Sequence, residues 1–445
     1  MLKVCLALSR NAARLESRVR MVNMRKIPFG DFRSLPVRII SELRQTFRSL
    51  SNRNYRVYST GQLVSNAGTW MQSVALSWLV YKLTDSAVAL GLVSFASYVP
   101  LLLLTYVGGI AADRFDRRKI LMWTQGLAGA QALVLALLTA TGTLSVALVI
   151  ALALFLGCVT AIGLPARQAF LADLIDEKEM VNAVGVNSAI FNTSRLSGPL
   201  LAGVVIGAFG EATCFALNAV GFLFSLFMLA RVRIAGSGKA KEKETDEVAS
   251  ERNLHIRTAL KNPTVRGILA LAGITSMFGF MYGVLLPVIV GQLLKGEAGQ
   301  LGLLAAAGGI GALFGSLGLA SRGKTELLAK GIGFGCLGLA VAVTVIAFSH
   351  SVLISFAAAA GAGFCVSIQF SGGNSLLQTI VPPEVRGRMM GIFSTFQLGF
   401  TPFGALLAGW MAQHLGLTPA LLVSATVCGV AAALYLLRRP KVTTD

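Results

Sequence analysis

Arg195 has the most unusual setting in this chain. It stands inside residues 180–210, a stretch with no other charge that is long enough to cross a bilayer. A guanidinium in hydrocarbon costs several kcal/mol unless it is solvated or paired, so such a residue marks a functional site by default. Arg195 could attract an anionic or carbonyl-rich molecule, or it could bond helix-end carbonyls. Other polar side chains fall at helical spacing in four stripes: Gln62, Ser65, Asn66, Thr69 and Ser73; Ser188, Asn192 and Arg195; Ser367, Ser371, Asn374 and Gln378; and Ser394, Gln397 and Thr401. Facing inward they would line a wet path, with Gln62, Asn66, Asn192, Asn374, Gln378 and Gln397 beside Arg195; facing one another they would be interhelical hydrogen-bond glue.

Covalent and metal chemistry find no comparable constellation. The six cysteines (Cys5, Cys158, Cys214, Cys336, Cys365, Cys428) are scattered without a C-x-x-C pair, and His255, His350 and His414 lie far apart. No catalytic residue and no metal site is expected. Outside the polar run at 239–247, acids cluster only at Asp113/Asp116 and from Asp173 to Glu179, and none falls within a membrane-length apolar run. A membrane enzyme would need converging Asp, Glu or His, and a buried proton carrier would need one carboxylate; neither is visible.

Two motifs imitate nucleotide sites. Gly318 to Thr325 satisfies G-x-x-x-x-G-K-[ST], and Gly333-x-Gly335-x-x-Gly338 spells a dinucleotide fingerprint. The first needs a preceding strand and a sheet to hold it, and the second a βαβ unit. Both sit in or against apolar, helix-length stretches, where close packing by small residues explains them better. No nucleotide, nucleic acid or other cofactor is therefore expected, and energy must come from an ion gradient or from the substrate's own gradient.

The elements that must position these residues follow from composition. Of 445 residues 55% are hydrophobic and 13% charged, with mean hydropathy +0.71. A soluble domain carries about 25% charge, so this chain belongs in a bilayer. A helix needs about 20 apolar residues to cross. Charge-free runs at 57–81, 86–112, 212–230, 267–294 and 298–321 give single spans. Runs at 120–166, 331–383 and 389–437 give two each, broken at Thr141-Gly142-Thr143, Ser349-His350-Ser351 and Gly416-Leu417-Thr418-Pro419. With 180–210 the total is twelve, and the chain is expected to be an all-α polytopic membrane protein.

In that topology 36 of the 39 Lys and Arg fall on one face. The positive-inside rule makes that face, with both termini, cytoplasmic. Expected units are a basic N-terminal segment 1–56, a six-helix half 57–230, a linker 231–266, a second half 267–437 and a tail 438–445. The N-terminal segment lacks the apolar core of a signal peptide. There Ile40, Leu43, Phe47 and Leu50 alternate with Arg38, Arg44 and Arg48, as in a helix lying on anionic lipid. Residues 239–247, KAKEKETDE, are too polar to pack and suit a flexible linker.

The halves repeat one another at an offset of 206 residues. Gly185 falls on Gly391, Ser188 on Ser394, Gly198 on Gly404, and Leu200-Leu201-Ala202-Gly203 on Leu406-Leu407-Ala408-Gly409, without a gap. Two pseudo-symmetric six-helix halves are the arrangement in which a site lies between repeats at mid-membrane.

Between the second and third spans stand Gly109, Asp113, Arg114, Asp116, Arg117 and Arg118. Their spacing resembles the signature loop of the major facilitator superfamily, G-x-x-x-D-R-x-G-R-[RK], with Asp116 the one departure. The resemblance implies a latch in which Asp113 accepts hydrogen bonds from a neighbouring helix N-terminus and pairs with Arg. The matching loop of the second half, 315–324, has Leu319 where the acid would sit, so the latch is expected to be asymmetric. Gly198-Pro199-x-x-Ala202-Gly203 resembles the G-P-x-x-G-G element of that superfamily's exporters, where Pro can kink the helix and Gly lets neighbours approach. With Ser65 to Trp70, Leu79 to Ser86, Pro165 to Ala169 and Pro383 to Arg388, the chain from Leu50 to Leu437 is similar to the bacterial exporter family that includes the enterobactin exporter.

That resemblance implies a secondary transporter of the bacterial inner membrane that expels a small siderophore-like or drug-like amphiphile by proton antiport, with lipids around it. An importer or lipid mover of the same fold is the rival within transport. A polytopic enzyme or sensor is the rival from outside it.

Overall fold

The computed structural model describes residues 48–232, 259–320 and 325–438. Among them run α1 Arg53–Thr84, α2 Ala87–Arg114, α3 Arg117–Ala140, α4 Val146–Leu174, α5 Met180–Phe209, α6 Glu211–Arg231, α7 Pro263–Leu293, α8 Ala298–Ala320, α9 Thr325–Phe348, α10 Val352–Ile380, α11 Pro383–Gly399 continuing as Thr401–His414, and α12 Leu417–Leu437. No strand occurs among the described residues. Eleven of these helices are long and apolar enough to cross a membrane, and α1 has the length at 32 residues but carries a polar stripe. The chain is an all-α, multi-pass membrane protein with six helices in each half. Ile40, Leu43, Phe47, the KAKEKETDE run and residues 321–324 of the second-half loop lie outside the described residues.

The helices start and stop where local chemistry dictates. Asn52 caps α1 by accepting from the Asn54 and Tyr55 amides, Ser86 caps α2 through Ala89, and Ser145 caps α4 through Leu148. Gly142, Gly210 and Gly416 turn the chain with φ of 68°, 81° and 93°, a region that costs glycine nothing. Loops of one or two residues, such as Asp85-Ser86 between α1 and α2, force antiparallel neighbours.

Three expectations need correction. The first span is a turn longer at its start than 57–81, because Asn52 supplies a cap that hydropathy does not register. The fourth runs to Leu174 and so carries Arg167 within the helix, which makes Arg195 one of two embedded arginines rather than the sole one. The run of uncharged residues ended at Arg167 by construction, but the helix does not. The seventh is interrupted: π-turns occupy Thr275–Gly279 and Ile289–Leu293, separated by short α segments.

The end of the bundle that holds the basic loops is rigid in the first half. Tyr55, Tyr58, Phe170 and Leu174 form a separate core there, and the Tyr55 hydroxyl donates to the Ala183 carbonyl at 2.8 Å. At the opposite end Lys82 pairs with Glu211 at 2.9 Å and ties α1 to α6. Within the halves α2 packs on α4, α1 and α3 on α6, and α8 and α9 on α10. Two seams join the halves: α2 against α11 and α5 against α8.

The 206-residue repeat has a direct geometric meaning. A Cβ on Gly198 would lie 2.7 Å from the Ala67 carbonyl of α1, and Gly404 likewise meets Met277 of α7, so each glycine seats its helix against the first helix of its own half. One turn on, Gly203 meets Ala298 and Gly299 of α8, and Gly409 meets Ala87 and Val88 of α2, across the seam. Leu-Leu-Ala-Gly recurs because the same two-sided wedge is needed twice.

Candidate functional site

The four seam helices pack closely at one end of the bundle. Away from the basic loops Gly91 packs on Ala405 and Gly409, and Gly302 on Pro199 and Gly203. Ser86 and the Ala87 amide both donate to the Gln413 side chain, at 3.3 and 3.2 Å, and Phe95 meets Phe403 edge-on at 6.0 Å. Toward the basic end the same four helices part: a Cβ on Gly109, Gly185, Gly318 or Gly391 would meet nothing within 4 Å. Val181 is 87% and Tyr106 79% exposed there.

Arg195 stands where the closed and open regions meet. Its guanidinium lies 5.9 Å from the Trp70 ring, and Trp70 contacts Phe191 edge-on at 5.9 Å. The phenols of Tyr98 on α2 and Tyr282 on α7 lie within electrostatic reach of it. Gly198 creates this grouping, since a Cβ there would fall 2.5 Å from the Trp70 Cβ and push the indole away. Pro199 has no amide hydrogen, which leaves the Arg195 carbonyl without its usual helical donor. That carbonyl instead lies beside Gly309 of α8. The helix runs unbroken through Pro199, so Gly198, Pro199 and Gly203 act here as close-approach positions.

Arg195 has no hydrogen bond or ion pair among the described residues, so the helix-end carbonyls considered as its alternative partners are not used. Arg167 reaches Asn66 at 3.5 Å, and its Nε is buried without a partner among the described residues. Every Asp and Glu of the described residues lies in a loop or in the first or last turn of a helix. A cation held about 6 Å from Arg195 would meet roughly 3 kcal/mol of repulsion at an effective dielectric near 20.

The remaining stripe residues divide between path and packing. Asn192 is half-buried and donates to the Ser188 carbonyl of its own helix at 2.9 Å. Gln378 donates to Asn374 at 2.5 Å, an i, i+4 pair on α10. Gln397 is half-buried on α11. Gln62 is only 3% exposed and its Oε1 has no partner among the described residues, so it is packed in this conformation rather than exposed. Thr401 bonds Ser276 of α7 at 2.9 Å, which is glue.

The signature loop is spread over three contacts. Asp116 caps α3 by accepting from the Arg118 and Lys119 amides. Arg117 pairs with Asp173 at 2.7 Å, and Arg118 donates to the Leu229 and Ala230 carbonyls that end α6. Gly109, Asp113 and Arg114 stay at the open end; Asp113 is exposed and engages no partner among the described residues.

Sequence reasoning missed the pairing of Arg195 with Trp70 and Phe191, because isolated aromatics in apolar helices read as core. It also missed two buried networks. Gln72 joins Gln131 and Asn218, at 3.1 and 2.8 Å, across three helices of the first half. Gln369 donates to the Leu271 carbonyl and to Thr275, at 3.1 and 2.7 Å, where α7 loosens.

The profile of the family described as transmembrane secretion effector matches residues 44–445. The chain is 29% identical over 369 residues to the multidrug efflux pump Tap of Mycolicibacterium fortuitum, covering 80% of this chain and 88% of that one. It is 26% identical over 368 residues to the staphyloferrin A transporter of Staphylococcus aureus, covering 81% and 90%. A crystal structure of a bacterial homologue of the iron transporter ferroportin in its inward-facing state superimposes with a TM-score of 0.67 at 17% identity, over 87% of this chain and 99% of that one, and shares the fold.

Proposed function

This chain belongs to the transmembrane secretion effector family of the major facilitator superfamily, and from that premise we propose that it exports a small amphiphile by alternating access. It is a secondary transporter and not an enzyme. The observation that supports alternating access is the unequal closure of the seams, with glycine contacts shutting the non-basic end while Arg195 beside Trp70 lies on the basic side of them, and the outward direction is supported by the relative named as an efflux pump. With the basic end cytoplasmic, the site is loaded from inside a bacterial cell and would release outward when the seams open and Asp113 engages its latch. Relatives named as an efflux pump and as a staphyloferrin A transporter support a siderophore-like or drug-like amphiphile.

The driving force in this reading is the proton gradient of the inner membrane, as the family resemblance implies. Everted vesicles containing the protein should accumulate the exported compound, and an uncoupler should abolish accumulation. Uptake into right-side-out vesicles instead would reverse the direction. Accumulation that survives collapse of both the pH gradient and the membrane potential would overturn proton antiport.

A further inference from the structure

We infer that the compound carried is an organic anion, bound through a carboxylate or a similar planar two-oxygen group, and that Arg195 and Arg167 form a two-step cationic ladder for it. This rests on the exporter reading above and goes beyond it by fixing the charge and chemistry of the cargo. Both guanidiniums keep open donors: Arg195 has no acceptor among the described residues, and the Arg167 Nε is buried without one. Their contacts on α1 set their register. Arg167 reaches Asn66 and Arg195 lies by Trp70; positions 66 and 70 share a helix face about 6 Å apart along the axis. Arg167 is thus the step nearer the open, basic end and Arg195 the deeper one.

A guanidinium fork matches two coplanar oxygens and holds them more tightly than any neutral donor. Around the deeper step Trp70 and Phe191 offer ring faces and edges to the body of the same molecule. With the carboxylates of the described residues confined to loops and helix end turns, a cationic amphiphile of the same size finds repulsion instead of a partner. The site selects an anionic head beside an aromatic or flat apolar body.

The test compares two xanthene dyes of similar size and opposite charge, carboxyfluorescein and tetramethylrhodamine methyl ester, by anisotropy with the purified full chain. Carboxyfluorescein should bind at least tenfold more tightly. Arg195→Gln should erase that preference, Arg167→Gln should weaken it several-fold, and Arg195→Lys, which keeps charge but loses the fork, should preserve preference at reduced affinity. Thermal unfolding of each variant separates lost binding from lost fold, and Arg195→Lys remains informative if Arg195→Gln does not fold. Equal or tighter binding of the cationic dye, no binding of carboxyfluorescein, or indifference to both Arg195 variants overturns the inference. Accumulation in everted vesicles is read separately. Selective binding without accumulation would sink the exporter reading and leave the charge assignment standing, whereas accumulation of the cationic dye alone would do the reverse.

Discussion

Asp116 shows how a single side chain can leave a motif and keep its geometry. Where the superfamily loop carries Gly, this chain places an acid whose side chain accepts the first free amides of α3. Asp116→Ala should therefore cost about 1 kcal/mol, while Asp116→Gly should cost only a few tenths, since glycine is itself tolerated at that position. Denaturation of the two variants side by side checks this, and no loss in either would mean the cap contributes nothing. Gly198 is the more demanding residue, because any side chain there strikes Trp70. Gly198→Val should cost about 1–3 kcal/mol by overpacking and weaken ligand binding beyond that, since the indole beside Arg195 must move; affinity unchanged in a folded variant would detach Trp70 from the site.

At the scale of the element, α5 and α11 are levers with a tight glycine at one end and an open one at the other. Gly409→Leu should wedge α11 away from the start of α2. Spin labels on the loops before α2 and after α11 should then report a longer mean distance, with the population shifted toward an opened non-basic end. Gly391→Ala meets no neighbour in this conformation, and replacing a mid-helix glycine gains up to about 1 kcal/mol. It should leave stability equal or higher and yet slow turnover, because closing the basic end requires that glycine to be covered. Stability and turnover falling together would instead mean that this position is already packed. Helix α7, with its two π-turns, is the least regular span, and Gln369 and Ser424 occupy carbonyls near its loosened turn. That gives a two-state element a place to bend without leaving backbone groups bare.

For the whole molecule, function requires both seams to open and close while each half moves as a body. The first half is tied at both ends, by Arg117 to Asp173 and by Lys82 to Glu211. The halves meet through glycine contacts, a ring pair and the Gln413 hydrogen bonds, an interface that can part without stranding charge. In a background freed of the native cysteines, a short bis-methanethiosulfonate reagent should join Ser86→Cys to Gln413→Cys, because the serine hydroxyl and the longer glutamine side chain already touch at 3.3 Å. Cross-linking should stop transport and reductant should restore it. Full transport in the cross-linked protein would show that this seam need not open.

Hydropathy and charge bias, which are properties of composition along the chain, determined the twelve spans, their breaks at Gly142 and Gly416, and the division into halves. A bilayer leaves an apolar run of that length little choice but a helix. The offset repeat in Gly198 to Gly203 and Gly404 to Gly409 likewise announced a duplicated packing wedge before its neighbours were known. Arg195 was legible because a lone charge in an apolar run is costly. Arg167 was not, since a charge near a helix end reads as the end itself, and whether the helix continues depends on what its next turns pack against. Only the tertiary structure could bring Trp70 to Arg195, turn Gln62 into the packing, and leave Asp113 exposed and without a partner among the described residues. Those outcomes depend on which helices approach closely and at which end, and that is set by side chains distant in sequence meeting across α1, α2, α5, α7 and α8.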